Sequence, residues 1–423
     1  MNIFKIAQTH FWIDCLKSNW LSWIIFYVFL LHVWIGLEHE SFLFSTPLYV
    51  NEILSFCGVL TLIQNWTVFS GRSDLLSKSV MFLAGYGLLY SLYSGLFLQE
   101  DWYGFLRTLP VWYSIFGFFL GCSLWNVYLR FKDRLSSMIS WSLALLSLFS
   151  GVSRTTPVYI LIVKSLRSYD VSILLLLYLI SGDSTGKMVF LSYLIFILLR
   201  ASFIRLLYPP AILIVILCGF LFLNWSYHEF NRFYSSGKIH DTWVEAGNYG
   251  IISEKLGVSD NNAIWRLMFW SYAWEHHISE NPVFGIGFGT PLFGKAQETW
   301  FIWYTNENNK DLYFPYTLGV HNSFIFLLIR LGLIGFVPLL FINFWLYRVF
   351  IEHPLFLKNR EINVLFIGFI FMTVNAMFNV ILESPRYAGI YWAILGLLYQ
   401  SIQHYYPKKV YKLYPSSTYV SII

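Results

Sequence analysis

Apolar runs broken by short polar turns occupy almost the whole chain. A membrane-crossing helix takes about 20 apolar residues. On that measure the pattern predicts twelve spans, at 19–37, 47–69, 79–98, 111–129, 138–152, 155–166, 170–182, 187–204, 209–225, 333–350, 363–382 and 388–403. Those at 138–152, 155–166 and 170–182 are short, which a tilted or bundle-buried helix tolerates. One long polar excursion interrupts the series at roughly 226–320. The expected fold is all-α, a polytopic membrane protein of about twelve transmembrane helices with one long loop that contains short helices. The expected organisation is one integrated domain: membrane helices over 1–225, the loop with an amphipathic helix over 226–320, and further helices with a tail over 321–423.

Composition agrees with that reading. The chain of 423 residues is 57% hydrophobic and 12% charged, and its mean hydropathy is +0.58. Soluble domains are about 25% charged, so the deficit points to a multi-pass membrane protein. Aromatic residues make up 21%, and Trp and Tyr favour membrane interfaces. The net charge of +5 is spread along the loops rather than gathered in a nucleic-acid patch.

Loop charges set orientation. With both termini cytoplasmic, 17 of the 28 basic residues fall inside, four (Arg107, Arg154, Lys187, Arg386) lie in short outside loops, and seven lie in or beside the long loop. The long loop is therefore expected to face outward. The N-terminal segment MNIFKIAQTHFWIDCLKSNW lacks a small-residue cleavage site, so the first span is expected to stay as an anchor. Cys15, Cys57, Cys122 and Cys218 have neither metal-ligand nor disulfide spacing and read as small core residues.

Two glycine motifs fail on context. GIGFGT at 285–290 neither follows a predicted strand nor opens a helix, as a dinucleotide fingerprint requires. SGDSTGK at 181–187 has phosphate-loop spacing one residue short, and Met188 stands where Ser or Thr belongs. Glu100 and Asp101 read as a solvated loop pair, and no other acids or His/Cys/Asp set stand at metal spacing.

The richest stretch is 261–323. Helical periodicity runs from Asn262 to Ser279, with Asn261 or Asn262 as N-cap, and places Arg266, Trp270, Ala273 and His277 on one face. Pro282 stops the helix and a glycine turn follows. Arg266 suits either interfacial snorkelling or a bidentate grip on phosphate. His321 stands where the polar run meets the next apolar block, as a structural hydrogen-bonder or as a general base. Lys187, Arg154 and Arg386 fall on the same predicted face, each either a topology anchor or a ligand contact. Together these cations suit an anionic headgroup such as a pyrophosphate.

WRLMFWSYAW, then NPVFGIGFGT, then HNSFIFLLIRLGLIGF, in this order among many spans, resembles the O-antigen ligase and polymerase superfamily. The resemblance implies a metal-independent, cofactor-free inverting glycosyltransferase of the bacterial inner membrane, with its long loop in the periplasm. It implies a donor glycan on undecaprenyl diphosphate, an acceptor that is either a second repeat unit or a lipid A core sugar, a surrounding bilayer, and a chain-length regulator as a further partner. No nucleic acid is involved. Arg266 would hold the diphosphate and His321 would be the essential histidine. Where the family carries a Ser-Arg-Gly type motif, this chain reads Ser184-Thr185-Gly186-Lys187. The arginine is missing, Lys187 is the nearest cation, and Arg154 is its rival. Trp300, Trp303 and Tyr304 suit either sugar stacking or an interfacial belt.

The long loop and the LESPRYAG ending lean toward polymerisation of O-antigen or exopolysaccharide repeat units, with ligation to lipid A core as the alternative. A polysaccharide or lipid transporter without catalysis is the alternative of another class. It requires midplane polar residues and broken helices in paired halves, and the spans read as nearly free of charge. A membrane scaffold would leave both Arg266 and His321 replaceable.

Overall fold

The structure, a computed structural model, describes residues 50–72, 74–99, 102–129, 266, 270, 273–292, 321–353, 356, 359–378, 380–384 and 387–406. Every regular element among them is helical. The main helices are α1 (Val50–Gln64), α2 (Leu75–Tyr93), α3 (Gly104–Leu129), α4 (Ser323–Glu352), α5 (Arg360–Phe378) and α6 (Ala388–Tyr405). Three stretches are long and apolar enough to cross a membrane: Leu75–Leu98, Gly104–Leu129 and Ser323–Phe350. The predicted spans from 138 to 225 lie outside the described residues, as do Cys15 and Cys218. Of the other cysteines, Cys122 is buried and Cys57 half-buried.

Helix ends follow local chemistry more than hydropathy. α2 starts at Leu75 rather than 79 because the Asp74 carboxylate accepts from the Ser77 backbone N–H at 2.8 Å, a cap worth about 1 kcal/mol. It ends in a π turn over Ser94–Leu98. α4 starts at Ser323, ten residues before the predicted 333, because Asn322 Oδ1 accepts from Phe324 N and Ile325 N. Its first turns also enclose Arg330, a cation that hydropathy alone keeps outside a span.

α6 is buried over nearly its whole surface. Its close approach to α3 depends on small residues: a Cβ at Gly121 would lie 2.1 Å from the Ala393 carbonyl oxygen, and one at Gly396 would lie 2.0 Å from that of Phe118. Such residues let membrane helices pack backbone to backbone. α2 instead presents Phe82, Leu88, Leu89, Leu92, Leu96 and Phe97 outward, as a lipid-facing helix does. Near the C-terminus of α6, Tyr405 meets Trp125 of α3. Near its N-terminus, Ile381 meets Ser323. His321 and Leu129 therefore stand at opposite ends of the bundle.

Candidate functional site

The site end is organised by a break in α4. Gly332 leaves helical geometry at φ 60°, ψ −165°. An unbroken helix would bond Leu333 N–H to Ile329 C=O and Ile334 N–H to Arg330 C=O. Instead, the Leu333 and Ile334 amides donate to the carbonyls of Pro282 (2.9 Å) and Val283 (3.2 Å). The freed carbonyls of Ile329 and Arg330 accept from Ile286 N (2.8 Å) and Gly287 N (3.1 Å). Two lost helical bonds are thus replaced by four bonds to one loop, so these four backbone groups stay paired.

Only glycine permits this fit. Gly285, Gly287 and Gly289 have φ of 74°, 81° and 79°, the left-handed region that other residues occupy at a cost. A Cβ at Gly285 would lie 2.4 Å from Ile329 O, and one at Gly332 would lie 2.3 Å from Val283 O. GIGFGT is therefore a backbone plug for a broken helix. Tyr90 Oη donates to Gly285 O (3.0 Å), Tyr86 Oη to Leu331 O (3.1 Å), and Gly289 N to Thr108 Oγ1 (3.0 Å), so α2 and α3 clamp the plug.

Arg330 seals the same joint. It is fully buried and donates from one terminal nitrogen to Gly287 O at 3.0 Å and Thr290 O at 2.5 Å. Its guanidinium lies 5.3 Å from the Phe326 ring centroid. The sequence reading passed over this residue, although an ionisable side chain inside an apolar run is itself a signal.

Arg266, Trp270 and Ala273 are helical, and a π turn follows over Trp274–Ile278, where Ser279 N donates to Trp274 O at 2.9 Å. Arg266, Trp270 and His277 are half-buried and Ala273 is fully buried, so the predicted face turns inward. His277 Nε2 lies 2.7 Å from Leu292 O. A carbonyl only accepts, so that nitrogen carries the proton. Burial, reinforced by the Arg330 charge, lowers His277 to about 4.

His321 is half-buried and has φ 42°, a left-handed conformation unusual for a residue with a side chain. Burial lowers its pKa to about 4, and the next cause is the charge of Arg266. Arg266 and His321, 55 positions apart in the chain, are therefore brought within electrostatic reach. Its neighbour Asn322 caps α4. The next residue, Ser323, accepts at Oγ from Ile381 N (2.8 Å) and Leu382 N (3.0 Å) and donates to Glu383 Oε2. Glu383 is buried, and burial raises its pKa to about 7. In the sequence this acid is marked only by its place in LESPRYAG, a carboxyl between two apolar runs.

Lys187, Arg154, Arg386, Glu100, Asp101, Trp300, Trp303 and Tyr304 lie outside the described residues. No curated protein matches the chain. Residues 171–340 match the family model described as O-antigen ligase. That segment takes in Lys187, Arg266, the glycine plug, His321 and the first turns of α4, and leaves out Arg154 and Glu383. The Arg266 segment, the plug and His321, at one end of an apolar helical bundle, thus lie within the part of the chain that is similar to the O-antigen ligase family.

Proposed function

We propose that this protein transfers a glycan from undecaprenyl diphosphate to an acceptor sugar hydroxyl at the outer face of the bacterial inner membrane. The observation that carries the reading is that the Arg266 charge acts on the half-buried His321, within the segment that matches the family. A membrane enzyme of the O-antigen ligase and polymerase type is the coarser statement the family match supports. Orientation is supported by charge. Arg107 lies at the His321 end, while Arg72 and Arg348 lie at the other, as the positive-inside rule asks of a cytoplasmic far end.

The chemistry is a single displacement. The acceptor oxygen bonds to the anomeric carbon as the bond from that carbon to the diphosphate oxygen breaks, and the electron pair leaves with the diphosphate. Arg266 stabilises the charge that grows there, with Lys187 or Arg154 as its helper. His321 takes the acceptor proton. With its pKa lowered to about 4, the ring is neutral at pH 7 and ready to accept. A bound diphosphate would screen Arg266 and raise the basicity of the ring at the moment of need.

The product we favour is a longer repeat-unit chain, on the strength of the long segment 226–320 and the LESPRYAG ending. Ligation to lipid A core is the second reading, favoured by the description of the matched family. The test is transfer in vitro from a defined lipid-linked oligosaccharide, with and without chelator, to either acceptor. His321→Ala and Arg266→Ala are each expected to lower turnover by about 10²-fold or more, the usual yield of a proton-transfer or charge-stabilising group. Unchanged turnover in a well-folded variant removes that residue from the mechanism. Polymer formed without core acceptor supports polymerisation, and product formed only on core sugar supports ligation.

A further inference from the structure

The Ser323–Glu383 pair has no part in the displacement just described. The Ser323 hydroxyl oxygen accepts from two backbone amides, those of Ile381 and Leu382. Its single proton is thereby committed to Glu383 Oε2. Glu383 is 3% exposed, and its Oε1 is buried with no hydrogen-bond partner among the described residues.

Burying a carboxyl is costly, and hydrogen bonding only partly offsets the cost. The start of α4 does not need it as a cap, because Asn322 already bonds both Phe324 N and Ile325 N. What the pair does is tie segment 380–384, which enters α6, to the residue two positions after His321. His321 itself sits in left-handed backbone, a conformation uncommon for a residue with a side chain, which surroundings must enforce.

We infer that Glu383 is a positioning residue for glycan transfer: through the Ser323 hydroxyl it fixes the turn that presents His321 to the acceptor. The inference rests on the proposed role of His321 and adds a residue beyond the matched segment. A misplacement of about 1 Å can cost about 10²-fold in rate, so the expected effect falls on turnover rather than donor binding.

The experiment compares purified full-length wild type with Glu383→Ala, Glu383→Gln, Ser323→Ala and His321→Ala, using an undecaprenyl-diphosphate-linked oligosaccharide as donor. Glu383→Ala and Ser323→Ala are expected to lower kcat by about 10- to 100-fold with the donor KM nearly unchanged. Glu383→Gln is expected to restore most of the kcat, because its amide oxygen still accepts from Ser323. Wild-type kcat in Glu383→Ala or Ser323→Ala overturns the inference, as does a Glu383→Gln no better than Glu383→Ala. If Glu383→Ala does not fold, Ser323→Ala and Glu383→Gln decide alone. Activity retained in His321→Ala sinks the parent reading. A dead His321→Ala beside an unaffected Glu383→Ala sinks only this one.

Discussion

Each end of the bundle draws an arginine inward, but the two are held differently. At the end far from His321, Arg72 lies 4.8 Å from the Phe69 ring centroid and 4.9 Å from that of Tyr399, and donates to Gln400 Oε1 at 3.2 Å. Tyr399 in turn donates to Asp74, the cap of α2, at 2.6 Å. These partners are side chains, and the helices they join are unbroken there. At the site end, Arg330 is held by backbone carbonyls of the glycine plug, and its own helix is broken two residues later. The far end is a side-chain lock between finished helices. The site end is a joint of main chain, and the proposed roles of Arg266 and His321 fall beside it.

The comparison predicts that main-chain lesions at the plug are the most damaging. Gly285→Ala and Gly332→Ala each combine left-handed backbone, about 1–2 kcal/mol, with overpacking of about 1–3 kcal/mol. Thermal unfolding in detergent should show a large drop for either, together with loss of transfer. A Gly285→Ala protein with wild-type melting and turnover would break the account of the plug.

The arginines sharpen the contrast. Arg330→Met removes two charge-assisted bonds of about 1.5–3 kcal/mol each, so it should lower stability and abolish turnover together. Arg72→Met loses cation–π contacts of about 1 kcal/mol each and one hydrogen bond, so stability should fall while turnover per folded molecule holds. Equal losses of turnover in the two variants would mean that the ends are coupled and not distinct.

The smallest effect is a pH dependence of stability centred on the site end. His277 and His321 fold with pKa near 4 against an ordinary 6.5. The folded form therefore stays neutral where the unfolded form binds protons, and stability falls as pH drops from 6.5 through 4. Glu383 folds with its pKa near 7 against an ordinary 4.5, so it retains a proton that the unfolded chain releases, and stability falls as pH rises from 4.5 through 7. Two histidines outweigh one carboxyl between 4.5 and 6.5, so their sum peaks near pH 6.5. Unfolding curves across this range should lose the acid limb in His277→Asn and the upper limb in Glu383→Gln. An acid limb kept in full by His277→Asn would show that other groups govern it.

Apolar run length gave the helical class and located α2, α5, α6 and the end of α3 to within a few residues, because hydropathy reports directly on burial and on lipid contact; α3 begins seven residues before the predicted span. Arg266 and His321 were legible as polar residues at the margins of apolar runs. Ser323, Glu383 and Arg330 were harder to read. Ser323 looks like the first residue of any helix, and Arg330 looks like the end of a span.

By itself, the sequence determined that this chain forms apolar helices and that its polar chemistry gathers between 261 and 323, since composition and periodicity are local properties. Tertiary structure alone decided that NPVFGIG fills a break in α4 and that Ser323 and Glu383 share a proton-directed bond. It also decided that the Arg266 charge acts on His321. Each depends on backbone groups or charges meeting across tens of residues, and no local pattern encodes which carbonyl an amide will find.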